Sequence, residues 1–144
     1  DILYKDWDLI IAHPPCTYFA NSGVRWLYSD DSRWQRLDES AVFFNLFLDH
    51  PCNKVAIENP IPHKYALERI NNIKYSQIIQ PWQFGHGETK RTCLWLKNLP
   101  MLRPTDIVDG RFGYCHSLPP SPDRWKLRST TYPGIADAMA YQWG

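Results

Sequence analysis

The junction between the apolar run WDLIIA, residues 7–12, and the sequence HPPC that follows it constrains the fold most strongly. An apolar run without alternation is typical of a short strand that is buried on both faces of a sheet. Consecutive prolines cannot continue a hydrogen-bonded ladder, so the strand is predicted to end before Pro14. The junction is therefore either a buried strand that stops at a turn or a strand that carries the thiol of Cys16 to the rim of an active site.

The rest of the sequence predicts helices and strands in alternation. A helix is predicted to begin at Ser32, with Gln35 completing a capping box, and to stop at Pro51. Further elements are predicted as strands over residues 54–59 and 91–97, an extended segment over 76–82, and helices over 63–70 and 134–143, with mostly loop over 98–130. This order predicts one α/β domain over residues 1–144, with crossover connections between its strands.

The first strand has no polar face, and such a strand normally lies between two others. At the bare edge of a sheet it would be an aggregation hazard. The sequence therefore predicts that strand–helix units precede Asp1, or that a partner chain supplies them. About 40 to 50 residues would supply two such units.

Composition excludes several classes of protein. No apolar run is long enough to span a bilayer and no signal-peptide pattern is present, so no membrane partner and a cytoplasmic location are predicted. The four cysteines include no CxxC pair, so reduced thiols and no metal site are expected. The net charge is +1, but residues 83–144 hold eight Lys and Arg against five Asp and Glu, which suits contact with phosphates as well as an ordinary solvated surface.

Three short stretches are predicted to meet at one end of the sheet. HPPC follows the first strand, ENP (Glu58 to Pro60) follows the second, and GHGETKR (residues 85–91) precedes the third. Ligands of open α/β sheets bind outside the carboxyl ends of the strands. A thiol, a carboxylate and a cation are therefore expected to converge there.

PPC followed by a short loop, then a strand ending in Glu-Asn, resembles the core pattern of cytosine C5 DNA methyltransferases. The stretches FGHGETKRTCLWL and YPGIADAMAYQWG are similar to the basic segment and the closing helix of that family, particularly of its short phage and prophage members. The resemblance implies the C-terminal portion of a Rossmann-like methyltransferase sheet. It also implies S-adenosyl-L-methionine as cofactor, cytosine-containing DNA as partner, and a target base flipped out of the duplex.

The resemblance also implies a role for each site residue. Cys16 would attack C6 of cytosine, Glu58 would bind the N3 edge and supply a proton, and Arg91 would stabilise the anionic intermediate. Substrate-binding and cofactor-binding roles would fall to Pro15, Asn59 and Lys90, and to Pro14, Ala136 and Asp137, respectively. Each catalytic residue keeps a structural alternative: a buried core thiol, a carboxylate that caps a helix, and a solvated cation at a strand start.

The chain departs from the family pattern in two ways. No Gly-rich turn follows a strand, although the family binds its cofactor with one, and Gly85 and Gly87 cannot replace it. Only residues 98–132 stand where the family has a large target-recognition region, which indicates low sequence selectivity, single-stranded or very short targets, or a reading partner. A non-catalytic nucleic-acid-binding remnant and an amino-methyltransferase remain alternatives, although His13 and Cys16 around the prolines favour C5 chemistry.

Overall fold

A computed structural model describes all residues from Asp1 to Gly144. Its strands are β1 (Ile10–Ala12), β2 (Val55–Pro60), β3 (Gln77–Ile79) and β4 (Thr92–Lys97). Its α-helices are α1 (Ser32–Leu48), α2 (Lys64–Arg69), α3 (Tyr114–Ser117), α4 (Arg124–Ser129) and α5 (Pro133–Trp143). Short 3₁₀ helices cover Ile2–Tyr4, Asn21–Tyr28 and Pro81–Gln83. None of the helices is long and apolar enough to cross a membrane.

The strands form one open, mixed sheet in the order β1-β2-β4-β3. β1 and β2 are parallel, with Ile10 opposite Val55, and α1 connects them. The predicted α/β class and this crossover are therefore confirmed. β4 runs antiparallel to β2, with Pro60 opposite Thr92, so a crossover to the third predicted strand is wrong. The chain first makes β3 and then returns to place β4 between β2 and β3, an order that residue periodicity does not encode.

Most of the local elements are of the predicted type, but their ends differ, and two local predictions are wrong. β1 is three residues long rather than six, and it lies at an edge of the sheet. The capping box at Ser32 is wrong, because Ser32 is the first helical residue and its N–H and hydroxyl both donate to Asp30 Oδ1, at 3.0 and 2.6 Å. These hydrogen bonds hold the pKa of Asp30 below its usual value. The predicted loop over 98–130 contains the short helices α3 and α4.

One face of α1 packs on one face of the sheet. Ile57 and Trp95 are opposite each other on β2 and β4, and both belong to the buried cluster. From the helix, Phe44 contacts Trp95 edge-on at 5.0 Å between ring centroids and stacks on Phe19 at 4.9 Å. Phe19 follows the HPPC sequence, so this aromatic stack fixes the segment after β1 to the core.

The chain divides into two compact units. The first comprises residues 1–78 and 92–100, and the second comprises residues 79–91 and 101–144. In the second unit, Gly85 N–H donates to the Asp106 carbonyl at 2.7 Å, and α5 buries Ile135, Ala138, Met139 and Trp143. The assignment of all 144 residues to one catalytic domain stays a prediction.

Candidate functional site

In the first unit, the parallel pairing of β1 and β2 brings two of the three predicted stretches to one sheet edge. Ala12, the last residue of β1, is opposite Ile57. The residues that follow this pair, His13 and Glu58, therefore lie at the same end of the two strands. His13 Nδ1 is 3.3 Å from Glu58 Oε2. The carboxylate is half-buried while the imidazole is exposed, so His13 orients the carboxylate from the solvent side.

Asn59 holds the turn that contains Pro14 and Pro15 through a buried hydrogen bond. Its side chain is 2% exposed, and its Nδ2 donates a hydrogen bond of 2.9 Å to the Pro14 carbonyl. Its Oδ1 is buried and accepts no hydrogen bond. Burial of the unpaired Oδ1 costs free energy of desolvation, which the hydrogen bond of Nδ2 offsets only in part. Asn59 thus positions the loop that carries Cys16; direct contact of Asn59 with a substrate stays a prediction, as does contact by the exposed Pro15.

The turn after the prolines leaves Cys16 at the surface. Its carbonyl accepts hydrogen bonds from Phe19 N–H and Ala20 N–H, both at 3.0 Å. Phe19 and Ala20 are buried, whereas Cys16 itself is half-buried. The turn is therefore anchored at its far end, and it carries the half-buried Cys16 close to the end of β1.

The other three thiols are in the interior. Cys52 donates to the Trp7 and Lys54 carbonyls, at 3.1 and 3.3 Å, and Cys115 lies 3.9 Å from the Tyr132 hydroxyl. Burial raises the pKa of the Cys93 thiol to about 12. A nucleophilic thiol must be reachable and able to ionise. Of the four cysteines, Cys16 is the one that is not buried.

His63 is a site-supporting residue that sequence reasoning missed. It is buried at the N-terminus of α2, where its Nδ1 accepts from Ala66 N–H at 3.1 Å and its Nε2 donates to the Tyr18 carbonyl at 2.7 Å. Its own N–H donates to the Phe19 carbonyl at 3.1 Å. One imidazole therefore ties the Cys16 turn to α2. Its position directly before a short helix is the only signal the sequence offers.

Stability should fall on acidification through His63. Desolvation lowers the pKa of His63 from 6.5, with the nearby Arg69 charge acting in the same direction and the hydrogen bond to Tyr18 opposing them. Because the folded state disfavours the imidazolium, the stabilisation is fully present above about pH 6.5 and is lost as pH falls from there towards the lower folded pKa. The free energy of unfolding, measured by urea denaturation between pH 7.5 and 5, should therefore decrease as the pH falls. His63→Asn, which can still cap α2, should flatten this slope; an unchanged slope would contradict the assignment.

The predicted cations belong to the second unit. Lys90 Nζ donates to the Arg128 carbonyl, and Lys90 N–H donates to Gln80 Oε1 at 2.9 Å. Arg91 is exposed and directly precedes β4. Since Cys16 and Glu58 lie in the first unit, the convergence of thiol, carboxylate and cation on one crevice stays a prediction, as do the substrate contacts of Lys90.

A second group of residues that the sequence did not reveal surrounds Tyr132. Its hydroxyl donates to Glu88 Oε2 at 2.5 Å, and its ring lies 5.1 Å from that of His86. Burial and then the hydrogen bond to Glu88 raise the pKa of Tyr132 well above its usual value. His86 Nε2 accepts from Gly134 N–H at 3.0 Å. This group joins the GHGET segment to the start of α5.

The second unit does not supply a glycine cradle for S-adenosyl-L-methionine. Its one glycine with positive φ, Gly85 (φ 89°), follows a 3₁₀ helix and faces Asp106 rather than opening a strand-to-helix turn. Ala136 and Asp137 lie on the exposed side of α5. In the first unit, the buried Pro14 offers its carbonyl to Asn59. These residues therefore do not fit the expected cofactor geometry.

No group of three or more His, Cys, Asp and Glu side chains is arranged to hold a metal ion. Comparison of the chain with protein-family models found no match, and comparison with curated protein sequences found none either.

Proposed function

We propose that the chain is the thiol-bearing catalytic portion of a cytosine C5 DNA methyltransferase. The observation that supports this most is the parallel pair of β1 and β2. β1 ends at Ala12, opposite Ile57, so the turn that carries Cys16 begins beside Glu58, two residues before the end of β2. The resemblance of PPC and ENP to that family requires a thiol and a carboxylate at neighbouring strand ends. In this proposal the mixed sheet is the C-terminal part of a Rossmann-like methyltransferase sheet.

The proposed chemistry begins at the thiol. Cytosine C5 is a poor nucleophile, and attack of the Cys16 thiolate on C6 turns C5 into an enamine-like carbon that can take a new substituent. Charge develops at N3 and the exocyclic carbonyl during the attack. Glu58 hydrogen-bonds the N3 edge and supplies a proton there, while His13 holds the carboxylate from the other side at 3.3 Å.

The remaining roles follow from the same proposal. The role of Arg91 and Lys90 in stabilising the negatively charged intermediate comes to this proposal from the resemblance alone, since both residues belong to the other unit. Asn59 acts indirectly, through the Pro14 carbonyl, by keeping the turn that carries Cys16 in one conformation. S-adenosyl-L-methionine stays the methyl donor that the resemblance implies, and none of these residue roles depends on it.

The thiol step can be tested without the cofactor. Attack of sulfur on C6 lets C5 take a proton from solvent; loss of the original C5 hydrogen and cleavage of the S–C6 bond then regenerate cytosine. We expect the chain to exchange the C5 hydrogen of cytosine for deuterium in an oligodeoxynucleotide dissolved in D₂O, read by mass spectrometry. Cys16→Ser should abolish the exchange, because a hydroxyl is far less nucleophilic than a thiolate at neutral pH.

Cys52→Ser is the matched control, since that buried thiol should not contribute. Exchange that survives Cys16→Ser would overturn the nucleophile assignment. Exchange absent from the unsubstituted chain and from both variants would overturn the catalytic proposal and favour the non-catalytic nucleic-acid-binding alternative. Circular dichroism of each variant separates loss of chemistry from loss of folding.

A further inference from the structure

The segment between the GHGET stretch and α5 is basic and rich in exposed rings. Residues 111–132 hold Arg111, Arg124, Lys126 and Arg128 against a single carboxylate, Asp123. Phe112 and Trp125 are 60% and 66% exposed. Single exposed rings are common on protein surfaces, but these two share a short segment with four cations, and the excess of positive charge favours a polyanion as the partner of this segment.

One ring of this segment, Trp125, and one ring outside it, Trp82, already lie against cations of the segment. The guanidinium of Arg111 lies 3.8 Å from the centroid of the half-buried Trp82 ring. Lys126 Nζ lies 5.6 Å from the Trp125 ring and also 3.4 Å from Asp123 Oδ1. A planar guanidinium or an indole ring offers a flat face on which a nucleobase can stack.

The segment Gly87–Lys90 connects the two arrangements. Phe112, next to Arg111, donates its N–H to the Gly87 carbonyl and accepts from Thr89 N–H, both at 2.9 Å. Lys90 Nζ donates to the Arg128 carbonyl at the end of α4, the helix that carries Trp125. Both sets of rings and cations therefore flank one short stretch of backbone within the second unit.

We propose that this aromatic–basic surface, formed by Trp82, Lys90, Arg111, Phe112, Trp125 and Lys126, binds single-stranded nucleic acid by base stacking. Rings can stack on bases whose faces are open, which single strands offer and paired duplexes do not. The inference rests on the proposed function for the choice of DNA as the polymer. It extends that function by naming the strand state of the substrate.

The test is a binding measurement without cofactor. A fluorescein-labelled mixed-sequence strand of about 20 nucleotides, longer than one stacking platform requires, is titrated with the full chain and followed by anisotropy. The same sequence as duplex, and inorganic polyphosphate as competitor, test base stacking against charge alone. We expect the single strand to bind most tightly and Trp125→Ala to weaken it about 5- to 150-fold, the range for loss of one stacked base.

Tyr141→Ala is the matched control, because Tyr141 is 88% exposed in the same unit but outside this surface. Tyr141→Ala should leave the affinity unchanged. Unchanged affinity in Trp125→Ala, equal losses in both variants, or equal binding of strand, duplex and polyphosphate would overturn the proposal. Strand binding is measured on chains that keep Cys16 and involves no attack by its thiol, so failure of the deuterium exchange and failure of strand binding are separate results.

Discussion

Phe44→Ala is expected to lower the free energy of unfolding by about 3–5 kcal/mol, the usual cost of removing a buried phenyl ring. Phe44 is 1% exposed and contacts Phe19 on one side and Trp95 on the other. Its loss therefore opens a cavity between α1, β4 and the segment that follows the Cys16 turn. Urea unfolding followed by far-ultraviolet circular dichroism measures the change.

Val42→Ala is the matched control on the same helix, because Val42 is 66% exposed. It should change the free energy of unfolding by no more than about 0.5 kcal/mol. If Phe44→Ala cost as little as Val42→Ala, the packing of α1 on the sheet would be wrong. We also expect Phe44→Ala to slow the C5 hydrogen exchange, since Phe19 would lose the ring that anchors it.

The face of α1 that carries Phe44 was predictable because helical periodicity is a local property. The residues that recur at three- and four-residue spacing are Trp34, Leu37, Ala41, Phe44 and Leu48. Leu37, Ala41 and Phe44 are buried, and the other two are partly buried against the same cluster. Strand direction and order are not local, and the sequence of β4 would suit either direction. The antiparallel insertion of β4 next to β2 could therefore be learned only from the structure.

The same distinction holds at the candidate site. Cys16 and Glu58 were expected at one end of the sheet because each follows a predicted strand. The parallel pairing of β1 and β2 places His13 Nδ1 3.3 Å from Glu58 Oε2. The ties that hold them were not visible: Asn59 to the Pro14 carbonyl, and His63 to the Tyr18 carbonyl. Both bonds join residues 45 positions apart through a backbone oxygen, which every residue has. A pattern of residue types therefore cannot predict such a pair.

Gly134→Ala is expected to destabilise the second unit by about 3 kcal/mol, the upper end of the usual cost of overpacking. A Cβ at Gly134 would lie 2.0 Å from the Phe84 carbonyl oxygen and 2.9 Å from His86 Nε2. Ala favours a helix over Gly by no more than about 1 kcal/mol, so the clash dominates. Because a backbone oxygen cannot rotate away, α5 must shift from the segment that contains His86 and Glu88. Faster amide hydrogen exchange in α5 measures this effect.

Gly113→Ala provides the control within the same unit. The added Cβ would meet Thr89 Oγ1 at 3.6 Å and His116 Cδ2 at 3.8 Å, which are ordinary contacts, at a residue with φ of −80°. Since Ala also restricts the unfolded chain, we expect Gly113→Ala to leave α5 exchange unchanged or to stabilise the unit slightly. Equal effects of the two substitutions would mean that α5 does not pack closely against Phe84. That result would also contradict the hydrogen bond from Gly134 N–H to His86, which links the GHGET segment to α5.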